Sequence, residues 1–201
     1  MDLSLLLKGF VLGLAIAAPV GPVGILCIRR TLSRGRVVGL VSGLGAATAD
    51  AVYGMVAGLG LTILTDHLVE AQTWMRLIGS FYLGYLGVKT FLAPPPDPEA
   101  QASHKGIAGA YVSTFALTIT NPMTILSFLA AFASADSLAS RENVLLWVCG
   151  VFSGSALWWL TLSTGVSLLR GRFTAPTMHW VNRLAGIALV TFAAIALVGM
   201  I

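Results

Sequence analysis

One acidic residue stands alone inside a long apolar segment of this sequence. Asp50 lies between Ala49 and Ala51, near the middle of the apolar stretch 37–64. If this stretch crosses a membrane, a carboxylate at that depth costs roughly 2.5 to 3.5 kcal/mol on insertion scales, so it should face a protein interior. There it either has a polar partner or binds a proton. Asp50 is therefore the first candidate for a functional residue, and a structural hydrogen bond to a neighbouring Ser or Thr is the alternative.

Two proline-containing breaks interrupt other apolar stretches. They consist of Pro19, Gly21 and Pro22 in the first break and of Thr120, Asn121 and Pro122 in the second. Proline removes a backbone donor and cannot continue a regular helix, so backbone groups are freed within the membrane. Freed carbonyl groups and positive helix N-termini are able to bind the ammonium and carboxylate groups of a zwitterion. A simple proline kink, satisfied by neighbouring Ser or Thr side chains, is the alternative for each break.

Several residues at similar depth are candidates for the wall of a cavity: Thr48, Tyr53, Thr118, Thr120, Thr124, Trp158 and Trp159. The aromatic ones could pack on an aliphatic or cationic part of a substrate, but for each residue alone helix packing is the more common role. The four arginines between 29 and 36 could recognise anionic lipid or gate the inner mouth, but an orientation signal explains them fully.

The sequence lacks the residue patterns of an enzyme or a metal site. It has no Ser/His/Asp set, no phosphate-binding glycine loop and no paired carboxylates at membrane depth. Cys27 and Cys149 are its only cysteines, and each is isolated in an apolar stretch. The three histidines fall in predicted loops or at span edges, without the spacing of metal ligands. We therefore expect no enzymatic activity, no cofactor and no resident metal ion.

The composition places the elements that carry these residues in a membrane. Of 201 residues, 57% are hydrophobic and only 10% are charged, whereas an ordinary soluble domain has roughly 25% charged residues. A crossing needs about 20 apolar residues, so this length allows six short-looped spans and no separate soluble domain. The net charge of +4 does not indicate nucleic-acid binding, because the basic residues flank the apolar stretches.

The apolar windows predict an all-α polytopic membrane protein with six transmembrane helices, because hydrocarbon leaves no partner for unpaired backbone groups. The predicted spans are 3–28, 37–64, 77–92, 106–133, 144–169 and 181–201. The polar linker 94–104, PPPDPEAQASH, separates 1–93 from 105–201 within a single membrane domain. Each half contains three spans and a broken first helix. An odd number of spans makes the second half enter the membrane from the opposite side, which predicts two inverted three-helix repeats.

The distribution of lysine and arginine predicts the orientation. The loops after spans one, three and five should face the cytoplasm, because basic residues are enriched on that side, and both termini are then outside. Those loops and the adjoining helix edges carry nine basic residues against three elsewhere: Arg29, Arg30, Arg34, Arg36, Lys89, Lys105, Arg170, Arg172 and Arg183 against Lys8, Arg76 and Arg141.

Glycines spaced four residues apart, such as Gly150 and Gly154, permit close helix packing within one chain or in a homodimer.

Several of these motifs, in this order, resemble those of the LysE/RhtB superfamily of amino-acid exporters. They are PVGPVG at 19–24, the basic loop RRTLSRGR at 29–36, GLGAATADAVYG at 43–54 and the TNP break at 120–122. The resemblance covers nearly the whole chain. It implies a bacterial inner-membrane protein that exports an amino acid or a related metabolite, coupled to the proton-motive force. Carried over to this sequence, the family pattern points to Pro19, Gly21, Pro22, Asp50, Asn121 and Pro122.

The mechanism expected from these residues is alternating access, in which two inverted halves rock about a midplane site. Asp50 would alternate between holding a proton and engaging the substrate ammonium group or a polar partner. The resemblance does not select a substrate, and a single intramembrane acid favours a neutral amino acid. Three alternatives stay open. They are a divalent-metal exporter of the same superfamily, which one buried acid argues against, a redox carrier, which requires Cys27 and Cys149 to meet, and a non-transporting membrane scaffold, which gives no reason for an acid in mid-helix.

Overall fold

The computed structural model describes residues 3–19, 21–59, 72–94, 106–121, 124, 127–128 and 141–198. All regular secondary structure in these residues is helical. The helices are α1 (Leu3–Ala17), α2 (Pro22–Arg34), α3 (Arg36–Gly58), α4 (Gln72–Phe91), α5 (Ile107–Ile119), α6 (Arg141–Leu169) and α7 (Ala175–Val198), and a 3-10 turn (Arg170–Arg172) follows α6.

Proline and glycine set several of the helix boundaries. Pro22 occupies the first turn of α2, where its missing N–H would have no intrahelical partner in any case. Gly35 separates α2 from α3 with a φ of 97°, and Gly106 precedes α5 with a φ of 94°. These left-handed conformations favour glycine because a side chain would be strained there. The first break thus ends one helix and starts another, as the sequence predicts.

The described helices include three that are long and apolar enough to cross a membrane, or four if the bent pair α1 and α2 is one span. The three are α3, Asn143–Arg172 and Pro176–Val198, and the axes of α1 and α2 form an angle of 79°. Helix α4 carries two basic residues and is less apolar, and the described part of α5 has only 13 residues. The expectation of an all-helical membrane protein is confirmed, whereas the count of six spans stays a prediction.

The closest helix packing is between α1 and α6, where glycines let the two backbones touch. A Cβ on Gly150 would overlap the carbonyl oxygen of Leu6, and a Cβ on Gly13 would overlap that of Val151. Without a side chain at these positions, van der Waals contact between the helices replaces the hydrophobic driving force that a bilayer lacks. Helix α6 also packs along α3, and α4 packs along α7.

One end of the bundle collects the arginine residues. There the Nε of Arg170, just after α6, donates a hydrogen bond of 3.0 Å to the carbonyl oxygen of Leu32 near the end of α2. Asn182 in α7 donates one of 3.2 Å to the carbonyl oxygen of Ala93, just after α4. Since Asn182 Oδ1 also accepts a hydrogen bond of 2.9 Å from Arg29 Nε in α2, the C-terminal ends of α2, α4 and α6 lie together. We call this region the arginine-rich end, defined by Arg29, Arg30, Arg34, Arg36, Arg170, Arg172 and Arg183.

The contact of α1 with α6 is testable with a matched pair of glycine substitutions in α6. We expect Gly150→Ala to lower the free energy of unfolding by about 1–3 kcal/mol, because the new methyl group forces two backbones apart. Gly165→Ala should not lower it, because a Cβ there meets no atom within 4 Å and alanine favours the helix. Equilibrium unfolding of purified protein in mixed micelles measures both changes, and equal effects of the two substitutions would contradict the packing.

Candidate functional site

Both helix breaks line one cavity, although they are about a hundred residues apart in the sequence. The cavity has a volume of about 600 Å³ and lies between the end of α1 and the helices α2, α4, α5 and α7. This volume is typical of a small-molecule site. Pro122 lies outside the described residues. The predicted site residues that line the cavity are Pro19, Gly21 and Pro22 from the first break and Thr120 and Asn121 from the second.

The wall of the cavity is mainly apolar and carries no charged side chain among the described lining residues. The polar contributions beyond the breaks are Ser80, Thr124 and Ser127, and the apolar ones include Ile16, Val23, Leu83, Leu117, Phe192 and Ile195. Sequence reasoning missed the residues from α4 and α7, because these helices contain neither a break nor a buried charge. The one available signal was a small and polar pair, Gly79 and Ser80, within an apolar helix.

Helix ends of opposite polarity meet at this cavity. Helix α2 begins at Pro22, and the first amide groups of a helix carry partial positive charge without an intrahelical partner. Helix α5 ends at Ile119, so Thr120 and Asn121 stand at the negative end of its dipole. The hydroxyl of Thr120 donates a hydrogen bond of 2.7 Å to the carbonyl oxygen of Ala116. The two breaks therefore provide a positive and a negative end on one cavity.

Toward the arginine-rich end, a layer of packed leucines forms the floor of the cavity. Leu83 and Leu117 belong both to the cavity wall and to this layer. Its buried members are Leu26, Leu83, Leu86, Leu117, Leu189 and Ala193. These apolar side chains pack together beneath the cavity, with Val23, Ile25 and Tyr82 packed against them.

One turn beyond this layer, Arg30 joins three helices. Its guanidinium group is buried and donates to Ser42 Oγ in α3 (3.0 Å) and to three groups of α5: Ala110 O (2.9 Å), Thr114 Oγ1 (2.8 Å) and Ser113 Oγ (2.7 Å). All four partners are neutral, and Arg30 forms no ion pair with the described residues. The planar guanidinium group is suited to such multiple contacts. Arg30 is therefore more than an orientation signal, which was the role expected from the sequence.

Asp50 is buried on the other side of the bundle, between α3 and α6. It is 3% exposed, and its Oδ2 accepts a hydrogen bond of 2.8 Å from Ser155 Oγ. One turn further along α3, the Tyr53 hydroxyl donates a hydrogen bond to the carbonyl oxygen of Ile119, the last residue of α5. Asp50 and Tyr53 are absent from the described lining of the cavity. The structure thus gives Asp50 a polar partner, which is one of the two contacts expected from the sequence, and no described contact with the cavity.

Trp158 also lies outside the cavity. It is half-buried and packs against a cluster that contains Ala17, Cys27 and Trp159. Helix packing, the alternative considered from the sequence, is thus the role that the structure gives it.

Cys149 is exposed and lies ten residues before Trp159 on α6, which is about 15 Å along the helix axis. Since Cys27 packs in the cluster of Trp159, the two cysteines are too far apart for a disulfide.

The described residues contain no group of three or more His, Cys, Asp or Glu side chains that could hold a metal ion. The polar groups at the two breaks are neutral backbone and side-chain groups. The chemistry that this cavity supports is therefore binding through hydrogen bonds and helix dipoles.

Comparison with known proteins identifies the family. Residues 14–199 match the family model of the LysE type translocators. The chain belongs to this family. A translocator moves a solute instead of converting it, so the resemblance seen in the motifs and the expectation of a membrane transporter are both confirmed. No solved structure is significantly similar to this one.

Three relatives of this LysE-type translocator match over almost their whole length. The putative amino acid efflux protein YcgF of Bacillus subtilis is 27% identical over 94% of this chain and 93% of its own. The arginine exporter protein ArgO of Salmonella paratyphi A is 24% identical over 93% and 90%. The chemotactic transduction protein ChpE of Pseudomonas aeruginosa is 26% identical over 98% and 100%.

The role of Arg30 in joining three helices predicts a loss of stability on its removal. We expect Arg30→Met to lower the free energy of unfolding of the translocator by about 2 kcal/mol, because hydrogen bonds to a charged donor are lost. The loss is limited, since Ser42, Ser113 and Thr114 each keep a hydrogen bond to a carbonyl group of their own helix. Arg172→Met, at an exposed position of the same end, should change the free energy of unfolding by less than about 0.5 kcal/mol. Denaturant titration in micelles measures both, and an unchanged Arg30→Met variant would contradict the joining role.

Proposed function

We propose that this LysE-type translocator exports an amino acid with an uncharged side chain across the bacterial inner membrane, in exchange for protons and by alternating access. The observation that carries this proposal is the single cavity in which the two helix breaks meet. The printed names of YcgF and ArgO, an amino acid efflux protein and an arginine exporter, support amino acids as the substrate class.

The cavity offers a complementary partner for each part of a neutral amino acid. The positive N-terminus of α2 binds the carboxylate group, and the carbonyl groups after α5 bind the ammonium group. The apolar wall, which includes Leu83, Leu117 and Phe192, surrounds the side chain. A basic side chain would lack an acidic partner among the described lining residues. We therefore propose an aliphatic amino acid such as leucine, in contrast to the arginine in the name of ArgO.

Asp50 carries the coupled proton in this mechanism. A protonated carboxyl group is able to donate a hydrogen bond, whereas a carboxylate only accepts one, so a change of protonation alters the contact with Ser155 between α3 and α6. One turn away, Tyr53 holds the last carbonyl group of α5, next to Thr120 in the cavity wall. A change at Asp50 therefore reaches the binding cavity through Tyr53 and Ile119, without direct contact with the substrate.

The pattern of helix contacts supports two inverted repeats, one within 1–93 and one within 105–201. Under this symmetry, α1 with α2 corresponds to the broken helix that begins with α5, α3 corresponds to α6, and α4 corresponds to α7. This symmetry relates the contact of α1 with α6 to the contact of α5 with α3. It relates the contact of α3 with α6 to itself, and the contact of α4 with α7 to itself. All four contacts occur. Glycines serve both members of the first pair, since Gly45 approaches the backbone of α5 as closely as Gly150 approaches that of α1.

The leucine layer and Arg30 act together as the gate on one side. The leucine layer lies between the cavity and the arginine-rich end, and Arg30 is the residue of that end that follows the layer by one turn of α2. In this proposal the arginine-rich end faces the cytoplasm and both termini are outside, which the enrichment of basic residues supports. The described conformation is then the one closed toward the cytoplasm. Opening toward the cytoplasm requires α2 to separate from α5, which breaks the hydrogen bonds of Arg30 to Ala110, Ser113 and Thr114.

Transport assays with Asp50→Asn test the proposed function. We expect proteoliposomes of wild-type protein with an imposed pH gradient to transport labelled leucine in preference to labelled arginine or lysine. Asp50→Asn should reduce this flux at least tenfold, because the asparagine amide does not bind and release a proton. Thr161→Ala serves as the control, since Thr161 is exposed and bonds only to its own helix. No flux of any amino acid with folded protein would contradict amino-acid export, and preferred flux of arginine would contradict the uncharged substrate.

Asn121 tests the position of the binding site. We expect Asn121→Ala to raise the leucine concentration at half-maximal flux about tenfold or more, because the amide group lines the cavity at the end of α5. The maximal flux should change less than this concentration. Ser153→Ala, at an exposed position of α6, provides the control. A half-maximal concentration equal to that of the wild type would place the substrate elsewhere.

A further inference from the structure

A row of polar side chains runs along the buried face of α6 from Asp50 toward the arginine-rich end. Ser155, Trp159, Ser163 and Ser167 recur at every fourth residue, so they share one face of the helix at intervals of about 6 Å along its axis. The first three are at most 3% exposed, and Ser167 is half-buried. We call these four residues the polar column. It spans about 18 Å and begins at the hydrogen bond between Ser155 and Asp50.

Two polar atoms of the column lack a hydrogen-bond partner in the part of the chain that the structure describes. Trp159 Nε1 and Ser163 Oγ are buried and form no hydrogen bond with the described part of the chain. Leaving such a group unpaired in a protein interior costs about 1–3 kcal/mol. Hydroxyl groups on the other faces of α6 differ, because Thr161 and Thr164 donate at 2.8 and 2.6 Å to carbonyl groups four residues earlier. The column therefore contains donors without a partner among the described residues, and buried water is the usual partner of such groups.

The helix opposite the column presents small residues. The Trp159 ring packs directly on Gly43, where a Cβ would overlap the ring atoms. Ala47, one turn nearer to Asp50, belongs to the same packed cluster as Trp159. The indole ring is thus held in place by its contact with α3, and the position of its N–H group is determined by packing. A fixed donor of this kind is able to orient a water molecule.

We propose that water molecules bound along the polar column form a proton pathway between Asp50 and the arginine-rich end. This inference rests on the proposed proton coupling through Asp50. Water molecules about 2.8 Å apart, two to each interval of about 6 Å, form a continuous hydrogen-bonded chain beside these side chains, whose hydroxyl and indole groups hold the waters in place. Each water accepts a proton from the water before it and passes another to the water after it. The carboxyl group of Asp50 loses the transferred proton, the bulk water gains it, and the side chains of the column keep their own.

The position of the pathway matches the direction of the proposed exchange. With the arginine-rich end in the cytoplasm, the pathway carries protons from Asp50 inward while the amino acid leaves outward. Among the described residues, the titratable and charged groups packed around this stretch from α2, α3, α5 and the end of α6 are Cys27, Arg30, Tyr53, Tyr111 and Arg170. None of these is a second carboxylate, so Asp50 is the acid that the pathway serves.

Proton-driven flux and counterflow separate a pathway role from a structural one. Counterflow exchanges leucine for leucine without net proton movement, so it does not need the pathway. We expect Ser163→Ala and Trp159→Phe to reduce leucine flux driven by a pH gradient at least fivefold more than leucine counterflow in the same proteoliposomes. Trapped pyranine reports the accompanying proton movement. Thr161→Ala should show no such difference, because Thr161 lies on an exposed face of the same helix.

Three outcomes of the flux assay would overturn the proposal. Gradient-driven flux within twofold of wild type in both variants contradicts the pathway alone. An equal loss of gradient-driven flux and counterflow shows a structural role. A wild-type protein with counterflow but no gradient-driven flux contradicts the proposed coupling, and the pathway with it.

The hydration of the column is measurable without a substrate. In protein labelled with 15N at the tryptophan indoles, we expect the Trp159 N–H to exchange with water within seconds at neutral pH. The missing resonance in Trp159→Phe assigns the signal. A Trp159 N–H that stays protected for hours in the folded wild-type protein shows a dry column and overturns the pathway, whatever the transport assays show.

Discussion

Breaking helices inside an apolar bundle leaves backbone groups without helical partners, and the architecture of this translocator depends on where those groups are satisfied. An unpaired backbone group in hydrocarbon costs several kcal/mol. The protein pairs some of them internally: Tyr53 donates to the last carbonyl group of α5, and Thr120 donates back to Ala116. The remaining ends face a shared cavity instead of lipid. Because backbone groups must be paired within hydrocarbon, both breaks lie at one cavity, where a polar solute is able to bind.

Among the described residues, the two buried charged side chains occupy different places around this cavity. Arg30 lies below the cavity floor and joins α2 to α3 and α5 through neutral partners. Asp50 lies between α3 and α6 with a neutral partner of its own. Arg30 and Asp50 form no described ion pair with each other. Each is held instead by hydrogen bonds, which a movement of the helices is able to break. This separation fits a transporter in which a gate and a proton carrier act on the same cavity from two sides.

Glycine and serine determine how close the helices come and where polar atoms lie. At Gly13 and Gly150 the absence of a Cβ brings α1 and α6 into backbone contact. Along α6, residues at intervals of four place Ser155 beside Asp50 and Ser163 in a buried position two turns away. The same helix thus serves as a packing surface on one face and as a row of polar groups on another, because a period of 3.6 residues keeps the two faces separate.

The sequence by itself determined the membrane environment, the helical class, the two breaks and the buried acid, because these follow from local composition and from the cost of placing polar groups in hydrocarbon. It also indicated the family, through motifs that are contiguous in the chain. Only the tertiary structure decided that Pro19 and Thr120 line one cavity, that Asp50 lies away from it, and that Arg30 joins three helices. These relations depend on which faces of distant helices pack together, and a local hydrophobic pattern contains no information on the partner that each face selects.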